Sequence, residues 1–114
     1  MRIRNKVWIE KDGELVFGKG RSDLLKAIDE TGSLSRACRR LNMSYRRAWS
    51  YISSAERRLG KNLIIKARGG KDGGGAVLTD FAEDLIKRFD ELDEKVKIFT
   101  EKHYKIIFKN VGKN

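Results

Sequence analysis

The chain has 114 residues, enough for one compact domain with an appendage and too few for two domains with separate cores. It carries 26 Lys and Arg against 16 Asp and Glu, a formal charge of +10 that favours a polyanionic partner. The single cysteine, Cys38, excludes an intramolecular disulfide and leaves no Cys/His set for zinc, so a reducing compartment, the cytoplasm, is expected.

Residues 1–10 mix charge with alternating apolar side chains and form no signal-peptide core, and no run is apolar enough to span a bilayer, so no membrane partner is expected. Val7, Ile9, Leu15 and Phe17 fall on period 2 around Lys11-Asp12-Gly13-Glu14, where Asp-Gly supplies the positive φ angles of a tight turn. The pattern predicts a β-hairpin within 2–17. Gly18 to Gly20 breaks it, after which Leu24, Leu25 and Ile28 recur at helical spacing until Gly32, a fitting left-handed stop.

Ser33 can cap a second, short helix whose buried stripe is Leu34, Ala37, Cys38 and Leu41. Asn42 and Met43 break the chain, and Ser44 can cap a third helix that runs to Leu59 and is closed by Gly60. Helices joined by so tight a turn cross steeply, as in a helix-turn-helix. At about 100° per residue, Ala48, Trp49, Ile52, Ala55 and Leu59 share one side, while Arg46, Ser50, Ser53 and Arg57 lie opposite, bordered by Arg47 and Ser54.

Leu63, Ile64 and Ile65 suggest a strand and Ala76, Val77 and Leu78 its return, with Gly69-Gly70-Lys71-Asp72-Gly73-Gly74-Gly75 between them. A helix-turn-helix followed by a hairpin is a winged helix. Thr79 opens a long charged helix with Asp80, Glu83 and Asp84 at its positive end. Ala82, Leu85, Phe89, Leu92, Val96, Phe99 and His103 follow alternating steps of three and four, the seam of a helix that wants a partner helix.

The expected fold is therefore mainly α with a small β content: a winged helix-turn-helix over 1–78, with an N-terminal hairpin (2–17) and a wing (62–78), followed by a C-terminal dimerisation helix over 79–110. The charge is confined to this frame. Residues 36–71 hold eleven basic side chains and one acidic one, Glu56, so the whole excess sits in one block and marks a binding face.

At Gly32-Ser33-Leu34-Ser35, Ser44-Tyr45-Arg46-Arg47-Ala48-Trp49 and Gly69-Gly70-Lys71-Asp72-Gly73-Gly74-Gly75-Ala76-Val77-Leu78-Thr79, the sequence resembles the DNA-binding domain of ModE-type, molybdate-responsive transcription regulators. The resemblance covers roughly residues 7–99, and the glycine-rich stretch is its specific part. It implies a winged helix-turn-helix that dimerises through helices of this domain, with molybdate or tungstate taken by a separate C-terminal module in full-length members. This chain stops where that module would begin, so DNA binding without oxyanion sensing by the chain itself is expected, and no cofactor.

The expected partner is double-stranded DNA, met as a homodimer. The N-terminal half of the third helix would enter the major groove, where Arg46 or Arg47 can pair bidentately with guanine, flanked by Ser44, Tyr45 and Ser50. Tyr45 lies toward the apolar side of the wheel, so packing in the core competes with base contact. Ser33, Arg36, Arg39, Arg40, Arg57, Lys66, Arg68 and Lys71, with Arg58 and Lys61, are candidates for phosphate contacts. Leu85, Phe89, Leu92, Val96 and Phe99 are the candidate dimer contacts. The glycine loop lacks the GxxxxGK(S/T) spacing of a nucleotide-binding loop, and one His with one Cys supplies no acid/base constellation, so no enzyme is expected. Two other readings stay open: a non-specific architectural nucleic-acid binder, or the DNA-binding subunit of a separate effector-binding sensor.

Overall fold

The computed structural model describes residues 1–66 and 75–112. Its elements run β1 (Trp8–Lys11), β2 (Glu14–Gly18), α1 (Lys19–Thr31), α2 (Leu34–Leu41), α3 (Tyr45–Leu59), β3 (Ile64–Lys66), β4 (Ala76–Leu78) and α4 (Asp80–Ile107). This is the mainly helical, winged architecture with an N-terminal hairpin expected from the pattern.

The hairpin turns where expected, with Asp12 at φ 53° and Gly13 at φ 78°, both left-handed. Its register slips by one residue: Ile9 faces Phe17, but Glu10 faces Leu15. Val16 is the extra residue of a β-bulge, which breaks the two-residue alternation. As a result Val16 and Phe17 both enter the core and Leu15 stays exposed, correcting the expectation that Leu15 and Phe17 share the buried face. A second correction follows directly. α1 starts at Lys19, so Gly20 lies inside its first turn instead of breaking the chain.

The three helix stops and starts around the helix-turn-helix obey local chemistry. Gly32 ends α1 in the left-handed conformation, its N–H reaching the Ile28 carbonyl at 2.7 Å. Ser33 is extended and its hydroxyl accepts from the Arg36 amide, while Ser44 does the same for Arg47 at the head of α3. Between α2 and α3, Asn42 takes φ 53° and Met43 donates to the Cys38 carbonyl at 2.9 Å, which fixes the steep turn.

One core collects Val16 and Phe17 from β2, Leu24, Leu25 and Ile28 from α1, Ala37 and Cys38 from α2, Ile52 and Ala55 from α3, and Ala82 and Phe89 from α4. The wing strands pair antiparallel, Ile65 opposite Val77. They are tied to the helices at both edges: Ala76 donates to the Gly32 carbonyl at 3.1 Å, and Thr79 to that of Leu63 at 3.0 Å. Thr79 then caps α4, accepting from the Ala82 amide. α4 has 28 residues and so reaches about 42 Å at 1.5 Å per residue. It projects well past the domain, giving principal extents of 61 × 29 × 21 Å.

Candidate nucleic-acid interface

α3 presents two faces of opposite chemistry. Ala48, Ile52 and Ala55 are buried with Trp49 half-buried against the core, and Arg46, Arg47, Ser50, Ser53 and Arg57 are exposed on the other side. Tyr45 is exposed as well, so it does not pack in the core. Ser44 spends its oxygen lone pair on the Arg47 amide at 3.1 Å, which leaves its hydroxyl hydrogen free to donate.

Arg47 is the restrained member of the arginine pair. Its Nε donates to the Tyr51 hydroxyl at 2.9 Å, and its guanidinium carbon sits 5.4 Å from the Tyr51 ring centroid. Arg21 of α1 lies over the same ring at 4.5 Å. Burial pushes the Arg21 guanidinium below its ordinary pKa, with Arg58 adding in the same direction and Tyr51 opposing. The Arg21 Nε is buried without a hydrogen-bond partner, so the Tyr51 ring is the main contact that holds this cation in place. Sequence reasoning passed over Tyr51, although its i, i+4 spacing from Arg47 was the available signal.

The only acid in the basic block is turned away from the outward face. The Glu56 carboxylate accepts from the Leu63 amide at 2.7 Å and weakly from Ile64 at 3.4 Å, so it anchors the start of the wing. The helix face therefore carries cations and hydroxyls with no opposing carboxylate, as phosphate contact requires.

The phosphate candidates divide. Arg57 and Lys61 are exposed, as are Arg36 and Arg39. Ser33 is buried and engaged as the α2 cap, so its hydroxyl is spent inside the fold. Arg40 is paired with Glu30 of α1. Arg58 is tethered to the hairpin, donating to the Glu14 carboxylate and the Leu15 carbonyl, while Lys11 reaches back to the Arg58 carbonyl at 3.0 Å. Lys66 extends over the Trp49 ring at 5.4 Å, which places its ammonium beside α3. Arg68, Lys71 and the glycine loop through Gly74 lie outside the described residues.

The seam on α4 is not uniform. Phe89 is buried and meets Phe17 edge to face, 5.3 Å between centroids, and Leu85 packs against the same core. Those two residues, expected at a dimer seam, are engaged within the chain itself because the bulge aims Phe17 at α4. Leu92 and Phe99 are exposed, at 46 % and 65 %, and Val96 is half-buried. Among the described residues no helix is long and apolar enough to cross a membrane, and no group of three or more His, Cys, Asp or Glu could hold a metal.

Comparisons with known proteins agree with this arrangement. The family model described as bacterial regulatory helix-turn-helix protein, lysR family, matches residues 22–83. The chain is similar to the molybdenum-pterin-binding protein MopB of Rhodobacter capsulatus, 38 % identical over 95 residues, which cover 83 % of this chain and 35 % of MopB. It is 40 % identical over 72 residues to the DNA-binding transcriptional dual regulator ModE of Escherichia coli K12, covering 63 % of this chain and 28 % of ModE. The ModE of Yersinia pestis is 42 % identical over 69 residues, covering 60 % and 26 %. The chain thus spans about a third or less of the length of these curated relatives.

Among solved structures, the CbnR DBD in a crystal structure of its DNA complex superposes with a TM-score of 0.60 at 17 % identity, covering 77 % of this chain and 95 % of that one. ArgP of Mycobacterium tuberculosis gives 0.51 at 18 % identity, covering 78 % and 30 %. These two likenesses establish the winged fold. With more than half of its residues matched by the family model, from α1 through the wing to the head of α4, the chain belongs to the LysR family of bacterial regulatory helix-turn-helix proteins.

Proposed function

We propose that the chain is a sequence-specific DNA-binding transcription regulator of ModE type, acting as a homodimer on two half-sites. The observation that carries this reading is the outward face of α3, where Arg46, Arg47, Ser50 and Arg57 are exposed and the single acid of the segment is folded inward onto the wing. A surface of that composition neutralises phosphates and offers donors to base edges.

Arg47 reads guanine in this account. With its Nε held by the Tyr51 hydroxyl, the two terminal nitrogens remain as a fork for guanine O6 and N7. Fixing the rotamer beforehand lowers the ordering cost of binding. Arg46, Arg57, Lys61 and Lys66 supply backbone contacts, and the glycine-rich segment with Lys71 tracks an adjacent phosphate or groove. The exposed Leu92 and Phe99, with Val96, join α4 to a second copy and set two recognition helices about 34 Å apart, or a multiple of that.

The test is competition of labelled operator against random duplex for Arg46→Ala and Arg47→Ala. Loss of a bidentate base contact costs about 1–3 kcal/mol on the specific site only. Arg47→Ala should therefore erase discrimination, whereas Arg46→Ala should weaken both duplexes alike. Equal losses from the two variants on both duplexes would overturn the assignment.

A further inference from the structure

A second basic feature lies at the opposite end of the molecule from the helix-turn-helix block. The segment preceding β1 runs back along the distal half of α4, far enough that Met1 touches the turn beyond the helix: a Cβ added to Gly112 would sit 2.7 Å from the Met1 methyl. Between this arm and α4 is a cleft of about 740 Å³, walled on one side by residues 1–5 and on the other by Lys97, Glu101, Tyr104 and Lys105, with Lys19 from the head of α1 closing it.

Five cations line this cleft, Arg2, Arg4, Lys19, Lys97 and Lys105, against one carboxylate, Glu101. Lys97 and Lys105 stand four residues to either side of Glu101, yet neither forms an ion pair with it. Among the described residues, Arg2, Arg4, Lys97 and Lys105 have no ion-pair or hydrogen-bond partner; Lys19 has only an exposed i, i+4 pair with Asp23 at 3.0 Å. The neighbouring N-terminus of α1 adds to the same field, since Gly18 provides no side-chain cap and its first turn holds no acid. Gathering like charges in a concavity without counter-charge is unfavourable in the free protein, and a bound anion relieves it.

We propose that this cleft binds a small polyanion of the oligophosphate class, inorganic or carried on a nucleoside, which bridges the N-terminal arm to α4. Its volume is of the size that accommodates a small ligand, about 300–1,000 Å³, and it is too narrow for a duplex. The span from Lys97 to Lys105 is about 12 Å along the helix, more than one phosphate can cover and suited to a short chain of them. All five cations sit outside the helix-turn-helix, so the site stands or falls independently of the DNA-binding reading.

Calorimetric titration of the full chain with inorganic tripolyphosphate tests it, alongside orthophosphate and a nucleoside triphosphate. Tripolyphosphate should bind more tightly than about 1 mM and clearly better than orthophosphate. Exposed charge pairs are individually weak, so K97Q/K105Q should lower the affinity about five- to tenfold, and R2Q/R4Q on the opposite wall should act likewise. R46Q/R47Q should leave the affinity unchanged, and melting curves should show all three variants folded. A nucleoside triphosphate that binds as well as tripolyphosphate assigns recognition to the phosphates, and one that binds better adds the nucleoside. Failure of tripolyphosphate to bind, equal binding of orthophosphate, or loss in R46Q/R47Q with retention in K97Q/K105Q would overturn the proposal.

Discussion

Arg47 Nε donates to the hydroxyl of Tyr51 one helical turn on, at 2.9 Å, and its guanidinium shares the Tyr51 ring with Arg21 from another helix. One aromatic side chain thereby links a core-facing cation of α1 to an exposed cation at the head of α3. Tyr51 is half-buried, so it can hold Arg47 without occupying the outward face itself.

Tyr51→Phe removes the hydroxyl and keeps the ring. A single lost hydrogen bond to a charged group is worth about 1.5–3 kcal/mol at most, and less where water can replace it. Affinity for the specific operator should fall several-fold, affinity for random duplex should hold, and the melting temperature should barely move because Arg21 keeps its ring. Parallel losses on both duplexes in a fluorescence anisotropy titration would mean that Tyr51 does not orient a base-reading group.

Phe89→Ala empties a site between α4 and the hairpin and removes the edge-to-face contact with Phe17. Deletions of this kind cost about 3–5 kcal/mol, so a large drop in melting temperature is expected. Chemical denaturation measures it. A loss under about 1 kcal/mol would place Phe89 outside the cooperative core.

Leu92 and Phe99 lie farther along the same helix and are exposed in the single chain. Leu92→Glu together with Phe99→Glu should leave the fold intact, since neither side chain belongs to the core. Sedimentation velocity should report a monomer in place of a dimer, with preserved binding to one half-site and weakened binding to two. A wild-type chain that sediments as a monomer at every concentration would remove the dimer from the account.

Burial raises the Cys38 thiol above its ordinary pKa. The folded state therefore keeps its proton at a pH where the unfolded chain has begun to release it. The corresponding stability is intact below the ordinary thiol range and is lost as pH rises through the folded value. Iodoacetamide should modify native Cys38 slowly at pH 8, and the alkaline loss of stability should be smaller in Cys38→Ala. Rapid alkylation of the native protein would contradict its burial.

The helix boundaries were legible because each is set within four residues: Ser33, Ser44 and Thr79 cap, and Gly32 and Gly60 close, as their spacing implied. The wheel of α3 likewise located its buried face. What escaped the sequence was decided by tertiary packing. The bulge at Val16 is a one-residue choice made by the core, and it overrode the alternation that had paired Leu15 with Phe17. The α4 seam was read as one continuous stripe because periodicity cannot tell whether Phe89 meets Phe17 or another chain. Glu56 was counted as a charge against the basic block, when its partners are amides seven and eight residues later. Tyr51 gained its place from Arg21, which is thirty residues away and brought near only by the packing of α1 on α3.

The most direct test of sequence-specific DNA recognition is selection of bound duplexes from a random pool by the purified chain at about 150 mM salt, where the Debye length is near 8 Å and loose electrostatic attachment is damped. The account expects one enriched inverted repeat with guanine at the position read by Arg47, and its disappearance when Arg47→Ala is used in parallel. Recovery of unenriched sequence despite salt-sensitive binding would contradict it and leave a basic winged helix that holds DNA without reading it.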